Sequence, residues 1–225
     1  MRKRVLGVTG VVVGLFVAVY LARGAEPSGQ GELPKADAEG WISLFNGKDL
    51  SGWEGDPKLW KVENGYISAK AAKVNGNTFL IFKHPFSNFV LRAECMIIEA
   101  GKFPNSGIQY RSKVVDPQKW VVHGYQADAG KGFWGDLYDE GGVRKTLFKA
   151  SKEATAAVKL DGWNQYEITA EGTHLKQVLN GVVAGEFDDK DPEHRAMSGV
   201  IALQYHAPGE NFEVRFREVK IKVLK

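Results

Sequence analysis

Phe212-Glu213-Val214-Arg215-Phe216-Arg217-Glu218-Val219-Lys220-Ile221-Lys222-Val223 sets apolar residues against charged ones at nearly every second position. A period of two is the signature of a strand with one buried and one wet face. The apolar parity changes after Phe216, so the spacing predicts a bulge or bend near Arg217-Glu218. Working outward, the same alternation runs through Phe89–Ile98 and Tyr166–Ala170, and turn signals bound the runs: Asn46-Gly47, Asn64-Gly65, Asn75-Gly76, Glu171-Gly172 and Asn180-Gly181. No helical pattern of comparable length is present; the best candidate, Ser151–Lys159, is short and rich in alanine. Short antiparallel strands recurring from Trp41 to Lys225 predict an all-β domain, a β-sandwich or jelly roll. One curved sheet of such a sandwich can hold a ligand on its outer face.

Composition agrees with this reading. The chain has 225 residues, 44% hydrophobic and 25% charged, enough to bury one sizeable core and incompatible with disorder or collagen-like repeats. Gly 26 against Pro 8 suits many turns between short strands. The formal net charge of +3 comes from the start of the chain: Arg2, Lys3, Arg4 and Arg23 lie in the first 25 residues, which contain no acid. The 26 basic residues beyond them meet 27 acidic ones, a net charge of −1, so nothing points to a nucleic-acid partner.

Residues 1–24 have the parts of an export signal: a charged start, an apolar run from Val5 to Ala22, and small residues at Ala22 and Gly24. The run approaches the length that spans a bilayer, so a cleaved signal and an uncleaved anchor, residues 5–22, both stay open. Either one places the domain in the periplasm or outside the cell, with the membrane a partner only through this segment. Residues 25–39 read as a linker and 40–225 as one domain. Cys95, the only cysteine, has no disulfide partner, so the domain depends on its core.

Three strand-like segments carry pairs of polar residues two apart, which project from one face. They are Gln109 with Arg111, Gln126 with Asp128, and Gln204 with His206. Wet faces ordinarily carry Lys, Glu, Thr and Ser. Gln and Arg instead offer forked hydrogen bonds suited to sugar hydroxyls, and Asp and His are common proton-transfer groups. Sugar sites also use aromatic faces, which Trp134, Tyr138 and Trp120 could supply. The segment Gly132–Gly142 brackets aromatics with glycines and crowds Asp136, Asp139 and Glu140 into five residues, the pattern of a ligand loop. His123 has the opposite parity to Gln126 and Asp128. No Gly-x-Ser-x-Gly elbow, phosphate loop or Cys-x-x-Cys is present, which sets aside serine hydrolase, nucleotide and zinc-ribbon classes. No cofactor is called for; a divalent cation on Asp128, Glu140 or His206 stays open, because the spacing carries no metal specificity.

An ordered set of blocks covers residues 40–225: Gly40-Trp41-Ile42-Ser43-Leu44-Phe45-Asn46-Gly47 through Gly52-Trp53, Asn105-Ser106-Gly107-Ile108, Gly124-Tyr125-Gln126-Ala127-Asp128, Trp163-Asn164, Asn180-Gly181, Ala202-Leu203-Gln204-Tyr205-His206 and Phe216-Arg217. It resembles the 3-keto-disaccharide hydrolase domain family. Many members carry Glu-Val-Gln where this chain has Gln126-Ala127-Asp128; the chain is similar instead to the branch with a Trp-Gly-x-Leu-Tyr-x-Glu loop, here Trp134 to Glu140. The resemblance implies a concanavalin A-like jelly roll acting on oxidised glycosides, with Asn105 also among the substrate-binding residues. A C3 ketone acidifies the proton on C2, so a modest base can start β-elimination of the glycosidic oxygen, and water then adds back. Such a reaction needs a base (Asp128 or His206), hydrogen-bond support for the enolate (Arg111 with Gln126 or Gln204) and an acid (Tyr138 or Glu140). A carbohydrate-binding domain without catalysis and a conventional glycosidase using Asp128 and Glu140 are the alternatives.

Overall fold

Alternation in the sequence becomes strands wherever it was read. The computed structural model describes residues 33–71, 74, 76–98, 103–206 and 212–225. The expected signal segment, linker residues 25–32 and Asn75 of one turn lie outside them. In chain order the strands are β1 (Ile42–Ser43), β2 (Trp53–Glu54), β3 (Trp60–Glu63), β4 (Tyr66–Lys70), β5 (Thr78–Phe86), β6 (Phe89–Ile98), β7 (Asn105–Asp116) and β8 (Val121–Gly130). After these come β9 (Leu137–Glu140), β10 (Lys145–Phe148), helix α1 (Lys152–Ala156), β11 (Asn164–Glu171), β12 (His174–Leu179), β13 (Val182–Asp188), β14 (Gly199–Tyr205) and β15 (Glu213–Val223).

Two antiparallel sheets face one another in a concanavalin A-like sandwich. One runs β13-β12-β11-β6-β15-β4-β3, with β1 on β15; the other runs β10-β9-β8-β7-β14-β5-β2. Between them lies a single large core. From the first sheet, β6 contributes Phe89, Leu91, Ala93, Cys95 and Ile97, and β15 contributes Val214, Phe216, Val219 and Ile221. The expected parity change is present in β15: Glu218 has φ 51°, and the register with β6 shifts between Arg217 and Lys220. This extra residue lets Val219 and Ile221 resume the inward face. Val223, at the strand's end, is exposed. Two hairpins turn on Asn64-Gly65 and Asn180-Gly181, whose residues all have positive φ, as a two-residue turn matched to strand twist requires. The helix falls inside Ser151–Lys159, and Ser151 caps it by accepting a hydrogen bond from the Ala154 amide at 3.2 Å.

The second sheet carries different residues on its two faces. Ile108, Tyr110, Tyr125, Ala127, Ala129, Ile201, Leu203 and Tyr205 pack inward. On the outer face an apolar cluster of Phe79, Ile81, Val122 and Ala202 lies towards β5, with Trp120 packed against it. The polar residues Gln109, Gln126 and Asp128 occupy β7 and β8 of the same sheet.

Arg111 departs from the expected pattern. It has φ 47°, and the β7–β8 register shifts between Tyr110 and Lys113, so the two-residue periodicity that would align it with Gln109 is broken. The guanidinium is engaged elsewhere. It donates to the carbonyls of Ser87 at 2.7 Å, Gly172 at 2.7 Å and Ala196 at 3.3 Å, and to Asn88 Oδ1 at 3.1 Å. Asn88 Oδ1 also accepts from the Gly172 amide at 3.0 Å. Arg111 therefore ties together the β5–β6 turn, the β11–β12 turn and the segment before β14, and it does not belong to the ligand face.

Arg111→Met keeps the apolar stem but leaves these carbonyls without a donor. Urea unfolding should show a loss of about 2–3 kcal/mol, the range for hydrogen bonds to a charged group; a change below about 0.5 kcal/mol would contradict the structural role.

Candidate functional site

Asp128 sits near the end of β8 and is only 8% exposed. Its neighbours fix it by a chain of side-chain hydrogen bonds running across β7 and β8. Ser112 Oγ donates to Gln109 Oε1 at 2.7 Å, Gln109 Nε2 donates to Gln126 Oε1 at 2.6 Å, and Gln126 Nε2 donates to Asp128 Oδ1 at 2.6 Å. Each amide uses its oxygen to receive and its nitrogen to give, so the chain has one direction and ends on the carboxyl group. Gly107 stands opposite Asp128 in the register. A Cβ there would come within 2.6 Å of the Gln126 side chain, so the glycine leaves the space in which that amide lies. From behind, Tyr166 donates its hydroxyl to the Asp128 carbonyl at 2.5 Å.

Burial pushes the Asp128 carboxyl up to about 8, because little water reaches its charged form. The Gln126 hydrogen bond opposes that rise, and the charges of Asp136 and Glu140 add to it. A carboxyl group in this range is protonated through neutrality and a stronger base than an ordinary aspartate once ionised.

The Asp128 carboxyl opens into a cavity of about 350 Å³ lined by Asn105, Gln126, Tyr138, Glu140, Lys149 and His206 among others. Such a volume lies at the low end of the roughly 300–1,000 Å³ usual for small-molecule sites. Glu140 accepts from Asn77 Nδ2 at 2.9 Å and from Gln204 Nε2 at 3.2 Å. Its strand is anchored from the other face by a buried cluster, in which Arg144 pairs with Asp189 at 2.8 Å and Asp139 at 3.3 Å, and Tyr125 donates to Asp189. Burial, then the charges of Glu140, Asp128 and Asp139, raise the Tyr138 phenol above its ordinary value, so it keeps its proton. Burial lowers His206, which favours the neutral imidazole. At the cavity wall the buried Asn105 Oδ1 has no hydrogen-bond partner among the described residues, an uncommon condition that a bound hydroxyl would relieve; Gln204 Oε1 behind Glu140 and Gln177 Oε1 also lack one.

The sequence-predicted residues divide cleanly. Asp128, Glu140, Tyr138, His206, Asn105 and Gln126 line one cavity, while Gln109 and Gln204 lie behind it as supports of Gln126 and Glu140. Arg111 is excluded, as described above. Trp134 is a second correction: it is 5% exposed and its ring stacks on Tyr166 at 6.4 Å inside the core, because the loop after β8 turns it inward. The aromatic surfaces at the cavity are instead Phe103 and Phe133, 5.6 Å apart, with Phe103 also 5.9 Å from His206. Sequence reasoning missed these two and the cation Lys149, whose Nζ meets Asp136 Oδ2 at 2.6 Å. Only the Gly132–Gly142 loop gave a signal for Phe133; nothing periodic marks Phe103 or Lys149.

The arrangement can hold a polyhydroxylated ligand and move protons. Asp128, Glu140 and His206 share the cavity, yet they are not a set whose ligand atoms all lie within 4.8 Å of one another. Among the described residues the set that meets this spacing is Asp191, Glu193 and His194, away from the cavity.

Comparison with known proteins gives this geometry a family. The protein is similar to the 3-keto-disaccharide hydrolase of Bacteroides thetaiotaomicron, 36% identical over 94 residues; the match covers 37% of this chain and 31% of that protein's length. In fold it is similar to a Parabacteroides distasonis protein provisionally named a glycosyl hydrolase, with TM-score 0.63 and 23% identity over 84% of this chain and 95% of that one. It is also similar to the carbohydrate-binding module CBM66 of Bacillus subtilis, with TM-score 0.58 and 16% identity over 75% and 94%. Residues 40–222 of the sequence match the profile of one family. The chain belongs to the 3-keto-alpha-glucoside-1,2-lyase-like domain family.

Proposed function

We propose that this protein cleaves the glycosidic bond of 3-keto glycosides by elimination followed by hydration, with Asp128 as the base. The observation that carries the proposal is a buried carboxyl, raised to about 8 and held by the Gln109–Gln126 chain, at the wall of a cavity lined with hydrogen-bonding groups. The family and the name of the Bacteroides thetaiotaomicron relative support a sugar substrate already oxidised at C3. Export through residues 1–24 is part of the same proposal.

In the first half-reaction ionised Asp128 takes the proton from C2, and the electron pair forms an enolate on the C3 oxygen. In this reading Lys149, the ammonium that lines the cavity and pairs with Asp136, stabilises that developing charge, the role sequence reasoning gave to Arg111. The enolate collapses, a C1–C2 double bond forms, the C1–oxygen bond breaks, and Tyr138 gives its proton to the leaving oxygen. In the second half-reaction water adds to C1, returning a proton to the Tyr138 phenolate, while Asp128, whose acid proton exchanges with water in the open cavity, delivers a solvent-derived proton to C2. The products are the 3-keto sugar and the free alcohol, and both side chains regain their starting states. Glu140, fixed by two amide donors, and the unpartnered acceptor of Asn105 orient the hydroxyl groups.

Turnover in heavy water separates this path from its rivals. Cleavage of a 3-keto glucoside should place deuterium at C2 of the product at the enzymatic rate, and the unoxidised glucoside should be inert. Cleavage of the unoxidised glucoside without deuterium at C2 would indicate a two-carboxylate glycosidase, and binding of either sugar without turnover a lectin. Asp128→Asn should lower kcat by roughly 10²–10⁴, the usual worth of a general base.

The pH dependence follows from the same group. Asp128 is the protonated, inactive acid below its pKa, so kcat/KM should fall roughly tenfold per unit of pH below about 8. Gln126→Leu removes a hydrogen bond that favours the ionised form, so this limb should move to higher pH; an unmoved limb would remove Gln126 from the positioning role.

A further inference from the structure

A second cavity, about 620 Å³, adjoins the first on the same sheet face, and Asn77 and Glu140 line both. Its other walls include Trp120, Gln118, Lys119, Thr78 and Asp56. In the elimination reading the first cavity, lined by the proton-transfer groups, seats the oxidised ring. A disaccharide seated there with its glycosidic oxygen near Tyr138 must place its second ring elsewhere on the face, and the wall shared at Glu140 leads into the larger cavity.

Trp120 gives that cavity an apolar floor, and three features fix it. Its backbone is left-handed, φ 52°, an uncommon state for a bulky residue. Its carbonyl accepts from the Phe79 amide at 3.0 Å, which joins the β7–β8 turn to β5. Asp116 Oδ1 accepts from the amides of Gln118 and Lys119, both at 3.1 Å, so the turn carrying Trp120 is held at its start as well. The ring packs against the outer apolar cluster of Phe79, Ile81, Val122 and Ala202 but remains half-buried. An aromatic surface beside an amide, an ammonium, a hydroxyl and a carboxylate matches a pyranose, which has an apolar face and a polar edge.

We infer that this second cavity receives the leaving sugar of a 3-keto disaccharide, with Trp120 as its stacking surface and Gln118 on its polar rim. The inference rests on the elimination reading above. It makes Trp120 a specificity residue: it contacts the part of the substrate that departs and takes no part in the proton transfers.

The test is the ratio of kcat/KM for a 3-keto disaccharide to that for methyl 3-keto-glucoside, which has no second ring. Trp120→Ala should lower this ratio about tenfold, chiefly through KM of the disaccharide, and Trp120→Phe should recover most of it. Gln118→Ala, at an exposed turn position outside the core, should lower it by a smaller factor and serves if Trp120→Ala folds poorly. Ratios within twofold of the unsubstituted protein for both Gln118→Ala and the Trp120 variants would overturn the inference. If neither oxidised glycoside is turned over, the elimination reading fails separately; calorimetric binding of the same two compounds then decides the subsite. Selective loss of disaccharide binding in Trp120→Ala supports it, and equal binding overturns it.

Discussion

A buried carboxyl group on the outer face of a sheet survives only if its polar atoms are met, and here one row of amides meets them. Ser112, Gln109 and Gln126 each pass a hydrogen bond towards Asp128. The row ends on Asp128 Oδ1 as an acceptor, a role open to the carboxylate and to the carbonyl oxygen of the neutral acid, and both amide planes are turned to match. Burial is the chief cause of the raised pKa of Asp128, and the hydrogen bond at the end of the row opposes that rise. The cost of leaving any member unpaired is the desolvation of a buried polar group, so the chain is held together as a unit.

The rest of the sandwich serves to present this row. The inner face of β7, β8 and β14 belongs to the single core, which fixes the register of all three strands. Small residues on the outer face then make room for large ones. Gly107 leaves space for the Gln126 side chain, and Gly130 does the same for Phe133, whose ring a Cβ would meet at 2.2 Å. On the far side of the β8–β9 pair, the Arg144–Asp189–Asp139 cluster holds the β9–β10 hairpin, so that Glu140 faces its two amide donors. The outer face is consequently two surfaces in one: a polar region over β7 to β9 and an apolar one over β5, with Trp120 beside the second.

Much of this was legible from alternation alone. β6 coincides with the run Phe89–Ile98, and the parity change in Phe212–Val223 marks the bulge at Glu218. Gln126 and Asp128 keep their shared face because β8 is regular there, and His206, one residue past the end of β14, still reaches the cavity. Arg111 fails for a local reason: one left-handed residue inside β7 reverses which side the chain presents, and no periodic reading of residue types registers it. Trp134 fails because a loop obeys no period, so its aromatic could as well enter the core as the cavity. Lys149 and Phe103 come from segments outside the regular strands, and only the three-dimensional path of the chain brings them to Asp128. Local parity fixed the residues that adjoin one another across strands; cross-chain convergence supplied the cation and the aromatic rim.

The central claim is that Asp128 is a neutral acid at neutrality because its burial keeps water from the charged form. Infrared difference spectroscopy of the carboxyl stretch, comparing the protein with Asp128→Asn across a pH titration, observes this group directly. The account predicts a protonated-carboxyl band at about pH 6, lost on Asp128→Asn and titrating near pH 8 in the parent protein. A carboxylate already ionised at about pH 5, the behaviour of an ordinary solvated aspartate, would contradict it.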